Sequence, residues 1–334
     1  MKRLLTLALV MGLGAATPAL AQYYSGKTIT IVVGYKPGGG YDRTARLLAR
    51  YLPKHIPGSP TIIVQNMPGA NSIIAANHVY AVAKPDGLTI GTFNRNLPIA
   101  QLTHVQGVKY DMTKFAWIGS AASESTILAI RNDLPYKTIE DLKKIPADKP
   151  LVIGATGPGA NTYDFPLLLK DLVGLNLKIV SGYSSSSDIM LAVERKEADG
   201  RAGSLSSIQQ FIDRKLVHPL VRSRAVEPGI ENLPVDESLA PNPRAKAIMA
   251  LRSAPEVVGR PYVMHPDTPP ELVKTLRKAF ADAIADPACV AEAKKGKAEL
   301  NFVDGDEALK VMHEVLSQPK DVVAEFSKYI KFGE

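Results

Sequence analysis

The stretch Ile29-Thr-Ile-Val-Val-Gly-Tyr-Lys-Pro-Gly-Gly-Gly-Tyr-Asp-Arg-Thr-Ala-Arg-Leu-Leu-Ala-Arg-Tyr-Leu52 decides the fold of this chain. Ile29 to Val33 is a short β-branched run that predicts a buried strand. Pro37 and the glycines Gly38 to Gly40 end that strand, and Asp42 is the predicted N-cap of the helix that follows. Such a unit aims backbone N–H groups and the positive end of a helix at one point, which favours an anion.

A glycine triplet after a strand is also common in plain tight connections, so composition alone leaves both interpretations open. The triplet does exclude two kinds of nucleotide loop. No Gly-Lys-Ser/Thr follows it, as a P-loop requires, and the Gly-x-Gly-x-x-Gly spacing of a dinucleotide fold is absent.

Residues 1 to 21 have the composition of a secretory signal peptide. Two basic residues precede an uncharged apolar run from Leu4 to Ala16, and Ala19-Leu20-Ala21 fits a cleavage site. We therefore expect a mature periplasmic protein that begins at Gln22. No cysteine stands near that site, so no attached lipid is expected.

Composition excludes several classes of function. The chain has 334 residues, enough for two domains, and carries 40 Lys and Arg against 33 Asp and Glu. The basic residues are scattered, which argues against nucleic-acid binding. Cys289 is the only cysteine, so no disulfide can form within the chain. The six histidines stand apart from other ligand residues, and we predict neither a metal site nor a cofactor.

Strands and helices alternate after the opening stretch. Strands are predicted at Thr61 to Gln65 and at Leu88 to Phe93, with a helix at Ser72 to Ala83 between them. This rhythm is typical of a mixed, largely parallel sheet with helices on both faces. Ligands of such sheets bind beyond the carboxyl ends of the strands. Three loops are predicted to converge there: Tyr35 to Asp42, Asn66 to Asn71, and Asn94 to Asn96.

A second unit of the same plan begins near Ile118. Predicted strands at Ile127 to Ile130 and Leu151 to Ala155 lead to the glycine-rich run Gly154-Ala-Thr-Gly-Pro-Gly-Ala-Asn-Thr162. An apolar helix should follow this run. Because Pro166 would break a helix beyond its first turn, we expect that helix to start near Tyr163 or Asp164, or to be kinked.

The pattern weakens after Leu216. Residues 227 to 245 are rich in Pro, Asn and Glu and are interpreted as a segment that crosses between two domains. Further predictions are a loop at Pro261 to Pro270, helices at Glu271 to Ala285 and Glu307 to Phe326, and a helix capped by Asp286-Pro287.

The opening glycine loop also resembles a family signature. Pro37-Gly-Gly-Gly-Tyr-Asp-Arg-Thr-Ala-Arg46 is similar to the Pro-Gly-Gly-x-x-Asp-x-x-Ala-Arg motif of the substrate-binding receptors of tripartite tricarboxylate transporters, the TctC or Bug family. Asn66-Met-Pro-Gly-Ala70 and Pro85-Asp-Gly-Leu-Thr89 stand where that family carries Asn-x-Pro-Gly-Ala and Pro-Asp-Gly-Tyr-Thr. The resemblance is dense before about residue 95 and thin after about residue 225.

The resemblance implies an α/β fold of the periplasmic-binding-protein type II kind. Two domains with mixed, largely parallel sheets would close by a hinge on a ligand in the cleft between them. The predicted limits are residues 22–122 plus 235–334 for domain 1 and residues 123–234 for domain 2. The protein would be a monomeric receptor and not an enzyme. It would deliver a di- or tricarboxylate, or an aromatic acid, to the membrane permease subunits of such a transporter.

In this family two glycine loops hold the carboxylate largely through backbone groups and bridging water. Tyr183 and Asp199 match a third family segment, but Ser184 to Ser187 replaces its Lys-Gly pair, so the resemblance leaves open whether Ser184 and Ser185 contact the ligand. The candidate ligand-binding residues are Tyr35, Gly38, Gly39, Gly40, Asp42, Asn94, Thr156, Gly157, Gly159, Asn161, Thr162, Tyr183 and Ser204.

Two alternatives stay open on sequence alone. One is an exported α/β enzyme acting on a carboxylate or ester, although no Gly-x-Ser-x-Gly or His-Glu-x-x-His motif is present. The other is a ligand sensor subunit of a two-component system, which could keep the receptor fold.

Overall fold

A computed structural model describes residues 22–296, 298 and 300–329. The predicted signal peptide, residues 1–21, lies outside the described residues. Within the described part of the chain, no helix is both long enough and apolar enough to cross a membrane.

The strands, in chain order, are β1 Thr28–Val33, β2 Thr61–Asn66, β3 Thr89–Thr92, β4 Ala116–Ser120, β5 Thr126–Arg131, β6 Leu151–Gly154, β7 Leu177–Val180, β8 Gly200–Ser204, β9 Val217–Arg222, β10 Pro261–Met264 and β11 Val303–Asp304. The helices are α1 Gly40–Tyr51, α2 Ile73–Ala81, α3 Leu97–Leu102, α4 Ile139–Leu142, α5 Asn161–Val173, α6 Ser186–Glu194, α7 Leu205–Asp213, α8 Pro243–Ser253, α9 Pro270–Ala285, α10 Pro287–Lys295, α11 Gly305–Leu316 and α12 Lys320–Tyr329. Short 3-10 turns lie at Leu52–His55, Ala70–Ser72, Asp236–Leu239 and Ala254–Val258.

The strands form two mixed sheets. The first has the order β11-β4-β10-β3-β1-β2, with β1 parallel to both β2 and β3. The second has the order β7-β6-β8-β5-β9, with β6 parallel to both β7 and β8. The chain thus builds the same three-strand parallel unit twice, once in each sheet. Antiparallel strands complete both sheets.

The predicted patterns explain the principal elements. The β-branched run of β1 is buried over its last three residues, and the apolar run of β5 is buried over five of its six. In α1, Ala45 and Leu48 are buried, whereas Arg46 and Arg50 face solvent. The predicted α/β class with two mixed sheets is therefore confirmed. The predicted domain limits stay a prediction.

Four predictions were wrong in detail. Ile118 lies in β4 of the first sheet and does not open the second. The predicted loop from Pro261 contains β10, which pairs antiparallel with β3 and β4. The predicted crossing segment ends at α8, because Asn242 caps that helix by accepting from Ala245 N. The predicted helix at residues 307–326 is two helices, α11 and α12.

The helix α5 begins earlier than predicted. It starts at Asn161 and continues through Pro166, which therefore lies inside the helix. Proline lacks the N–H that would bond to the preceding turn, so this position gives up one helical hydrogen bond. The helix nevertheless ends as its sequence suggests, at Gly174 in the left-handed conformation.

Cys289 lies in α10 and is completely buried. Asp286 caps this helix as predicted, accepting from the N–H groups of Ala288 and Cys289. Burial raises the pKa of the Cys289 thiol to about 11, so the group is both inaccessible and protonated at neutral pH.

Candidate functional site

A cavity lies between the two sheets. Most of its lining residues follow the carboxyl ends of β1, β3, β6 and β7 or belong to β8. It holds about 590 Å³ of empty space, including its mouth. Eight of the thirteen predicted ligand-binding residues line it: Tyr35, Gly39, Gly40, Asn94, Thr156, Asn161, Thr162 and Ser204.

The other five predicted residues do not line the cavity. Gly38, Asp42, Gly157 and Gly159 belong to the two strand–loop–helix units, in which Gly38 N donates to Asp42 and Gly159 N donates to Asp164. Tyr183 packs against the apolar cluster beneath the second sheet. The structure therefore divides the predicted set into eight residues that face the cavity, four that belong to the loop–helix units behind it, and Tyr183, which packs in the second sheet's apolar cluster.

Asp42 stabilises the first glycine loop, residues 34–39, but not as the N-cap residue that the sequence predicted. Helix α1 begins at Gly40, and its N-cap residue Gly39 has no side chain to cap with. Asp42 is the third helical residue and reaches back, accepting from Gly38 N at 2.9 Å and from Asn66 Nδ2 at 2.9 Å. The N-cap prediction was wrong: the carboxylate fixes the loop ahead of the helix.

Asp42 stays ionised in this position. Burial acts to raise its pKa, but the hydrogen bonds from Arg46, Gly38 and Asn66 outweigh burial and hold the pKa below its usual range. The Arg46 Nε atom lies 3.0 Å from the carboxylate.

The second glycine loop, residues 155–160, is also held by side chains from the start of the helix that follows it. Asp164 Oδ1 accepts from Gly159 N at 2.8 Å, and Thr162 Oγ1 accepts from Thr156 N at 3.0 Å. Gly159 has a φ of 85°, a conformation that favours glycine. Complete burial raises the pKa of Asp164 to about 7, although the Gly159 N–H, the charge of Arg252 and a bond from Asn96 act to lower it.

Asparagines of the first unit hold the second loop. Asn94 Nδ2 donates to Gly159 O at 2.8 Å, and Asn71 donates to Pro158 O. The Asn161 amide is best satisfied when its oxygen accepts from Arg95 Nε at 2.7 Å and its nitrogen faces Asn96. The two glycine loops are thus joined by side chains that reach across the cleft.

The serine run also bridges the cleft. Ser184 Oγ accepts from Lys36 Nζ at 3.0 Å, and Ser187 Oγ donates to Gly38 O at 2.9 Å. Ser185 caps α6 by accepting from Asp188 N, and both Ser185 and Ser186 line the cavity.

Gly40 has a role that the sequence did not suggest. A Cβ atom built on Gly40 would lie 2.4 Å from Arg260 Nη2, so the missing side chain makes room for a guanidinium group. The Arg260 guanidinium carbon lies 4.4 Å from the centre of the Tyr41 ring, and Nη2 lies 3.0 Å from a Glu124 oxygen. Stacking and ion pairing hold the cation at the cavity wall.

Sequence reasoning missed three buried arginines in that wall. Arg95, Arg201 and Arg260 all line the cavity and are at most 4% exposed. Glu124 pairs with two of them, at 3.2 Å from Arg95 Nη1 and 3.0 Å from Arg260 Nη2. One sequence signal could have revealed Arg201: it is the single large residue in the small-residue run Gly200-Arg-Ala-Gly-Ser204 of β8.

The wall therefore combines backbone N–H groups at two helix starts with guanidinium groups, an arrangement that suits an anion. Among the described residues, no group of His, Cys, Asp and Glu side chains is placed to hold a metal ion.

Comparisons with known proteins identify the family of this chain. The model of the tripartite tricarboxylate transporter family receptor, TctC, matches residues 44–327. A UPF0065 protein of Bordetella pertussis is 29% identical over 215 residues, which are 64% of this chain and 64% of that protein. The match thus spans less than two thirds of that relative's own length.

Solved structures show the same fold. The periplasmic binding protein BugD superposes with a TM-score of 0.75 at 21% identity, over 92% of this chain and 98% of that one. The R. palustris protein Rpa4515, solved with adipate, gives a TM-score of 0.73 at 20% identity, over 91% of this chain and 98% of that one.

This chain belongs to the tripartite tricarboxylate transporter receptor family, because the family model covers most of its length. The predicted resemblance is confirmed. The family is one of transporter receptors, so the prediction that the chain is not an enzyme is confirmed as well.

Proposed function

We propose that this protein captures a small carboxylate in the cavity between its two sheets and delivers it to the membrane permease of a tripartite tricarboxylate-type transporter. One observation carries the proposal: two strand–loop–helix units and three buried arginines converge on one cavity. Backbone N–H groups at helix starts and guanidinium groups both favour an acid group over a neutral one.

The relatives support the same ligand chemistry. The neighbour Rpa4515 was solved with adipate, a dicarboxylate, and it shares the fold of this chain over nearly its whole length. Of the thirteen predicted residues, we propose that the eight at the cavity contact the ligand, and that Gly38, Asp42 and Gly159 support the two loops. We further propose that the mature protein begins at Gln22, works in the periplasm and acts as a monomer.

A ligand screen tests the proposal. The mature protein is heated with succinate, adipate, suberate, citrate or benzoate, because a ligand that binds the folded state raises the melting temperature. Calorimetry then gives the affinity of the best acid, with the uncharged diamide of that acid as the control. An acid that binds while its diamide does not supports the proposal, and equal binding of acid and diamide refutes it.

A separate experiment tests delivery. Permease subunits of a tripartite tricarboxylate-type transporter from the same organism are reconstituted in vesicles, and uptake of the best acid is measured with and without the receptor. Uptake that depends on the receptor supports a transport role. Tight binding of the acid without receptor-dependent uptake would contradict delivery.

A further inference from the structure

Arg201 differs from the other arginines at the cavity because no carboxylate partners it. Arg95 and Arg260 each form a salt bridge with Glu124. Among the described residues Arg201 forms none, and its guanidinium donates one hydrogen bond, from Nη2 to Ser207 Oγ at 2.6 Å. Its Nε and Nη1 atoms are buried without a hydrogen-bond partner, and its side chain is 1% exposed.

A buried guanidinium without a counter-ion is unfavourable, since unsatisfied buried donors and unpaired buried charges both cost free energy. Burial, together with the neighbouring charges of Arg43 and Arg260, lowers the pKa of Arg201 to about 9, so the group is still mostly protonated at neutral pH. The fold nevertheless places this cation at the cavity wall. Such an arrangement is stable when an anion enters the cavity and pairs with it.

The neighbouring residues leave space for the Arg201 guanidinium and orient it. A Cβ atom built on Gly203 would lie 3.1 Å from Arg201 Nη1, so the glycine leaves room that the cation uses. Ser207 Oγ, which accepts from Arg201, in turn donates to Ser204 O at 2.8 Å. The hydroxyl is therefore fixed, and it orients the arginine from one side.

We propose that Arg201 is a specificity-determining residue that forms a direct ion pair with a second acid group of the ligand, apart from the acid group held by the glycine loops. This inference rests on the proposed carboxylate-binding function and adds to it. The two loops accept one carboxylate, and Arg201 then selects ligands that carry two.

The test compares acids that differ by one charge. Affinities of the mature protein are measured by calorimetry for adipate against hexanoate and for succinate against butanoate. The wild type should bind the better dicarboxylate at least about tenfold tighter than the monocarboxylate of equal length. Arg201→Gln should bring this ratio close to one, and Arg201→Lys should keep part of it, because a positive charge remains.

Two further variants separate charge recognition from loss of structure. Gly203→Ala crowds the Arg201 guanidinium while keeping its charge, and should lower the dicarboxylate ratio about threefold. Arg222→Gln is the matched control, because Arg222 is also buried in the second sheet but does not line the cavity. It should keep the ratio even if it lowers the melting temperature.

The outcomes distinguish this inference from the proposed function. If Arg201→Gln weakens both acids by the same factor, or if the wild type shows no preference, the inference is overturned and the carboxylate receptor stands. If the wild type binds no acid of the set, the proposed function fails and the inference fails with it. Should Arg201→Gln not fold, Arg201→Lys and Gly203→Ala decide by the same ratio.

Discussion

The two glycine loops have the same construction but opposite electrostatics. In each, an aspartate in the first turns of a helix accepts from a glycine N–H of the preceding loop, Asp42 from Gly38 and Asp164 from Gly159. The pKa of Asp42 is lowered, whereas that of Asp164 is raised to about 7. The backbone hydrogen bond is common to both, so it cannot set the sign of the shift.

The surroundings account for the difference. Asp42 is itself only 3% exposed, but Arg46 lies beside it with its nitrogen 3.0 Å away. Asp164 has no salt bridge among the described residues and is 1% exposed. Desolvation therefore dominates at the second loop, and ion pairing with hydrogen bonding dominates at the first. Loops of one design can carry different charges when only their surroundings differ.

The largest effect is expected for Asp164→Asn. The folded pKa of Asp164, about 7, exceeds the unfolded value of about 4. The wild type therefore loses stability as the pH rises from about 4 to about 7, and its stability does not change further above about pH 7 because of this group. One unit corresponds to about 1.4 kcal/mol, so the loss reaches at most roughly 4 kcal/mol. Asn keeps an acceptor for the Gly159 N–H but cannot ionise.

Urea unfolding at about pH 4, 6 and 8 measures this effect as the difference between variant and wild type. The free energy of unfolding of the variant should increase relative to that of the wild type as the pH rises, and the difference should become constant above about pH 7. A difference that does not vary with pH would mean that folding does not raise the pKa of Asp164.

The second prediction compares neighbouring glycines of the first unit. A methyl group on Gly40 meets Arg260 Nη2 at 2.4 Å, whereas on Gly39 it meets Ser186 Oγ at 3.5 Å, an ordinary contact. Gly40→Ala should displace Arg260 from Glu124, cost about 1–3 kcal/mol in stability and weaken acid binding about tenfold. Gly39→Ala is the control, with less than about threefold change in affinity. Calorimetry with the best acid and melting curves provide both measurements, and equal effects of the two variants would contradict this role of Gly40.

The third prediction is the opposite of the first in its pH dependence. Asp42→Asn removes the pairing with Arg46 and should cost about 1 kcal/mol at neutral pH. Because the folded pKa of Asp42 is lowered, the contribution of its charge is present above the unfolded value of about 4 and is lost as pH falls through the folded value. The gap to the wild type should therefore shrink in acid, again by urea unfolding. A gap that widens in acid would show that the electrostatics of the two loops do not differ in sign.

The smallest effect is expected at the bridge between the first loop and the serine run. Ser187→Ala removes the bond to Gly38 O, which lies at the surface. We expect a change of less than about 0.5 kcal/mol in stability and less than about threefold in affinity. A larger loss of affinity, measured by calorimetry, would mean that this bond contributes substantially to closure.

Local pattern was sufficient for much of the fold. The β-branched run of β1, the amphipathic spacing of α1 and the Asp-Pro start of α10 all lie where the sequence predicted them. The strand β10 was missed because its partners β3 and β4 are more than a hundred residues away, and a four-residue strand leaves no period to detect. The Asn242-Pro243 start of α8 was a helix signal that the surrounding prolines obscured.

The sequence predicted which loops form the cavity, but it did not predict the charged side chains that line it. Glycine loops are recognisable by composition, and most cavity-facing members of the predicted set come from these loops or from the first residues of the helices that follow them. Arg95, Arg201 and Arg260 come from three distant places along the chain and meet only in the folded protein. An arginine in a sequence is most often a surface residue, so burial and missing counter-ions become visible only in three dimensions.

The burial of Cys289 has a practical consequence for observing this protein at work. A maleimide dye needs an exposed thiolate, and the chain's single thiol is both enclosed and protonated. A cysteine placed at the exposed Ser184 position would therefore take up one fluorophore without any background substitution. The protein could therefore serve as an optical sensor without removal of a native cysteine. A change in the fluorescence of the dye at the edge of the cleft would report binding of an acid.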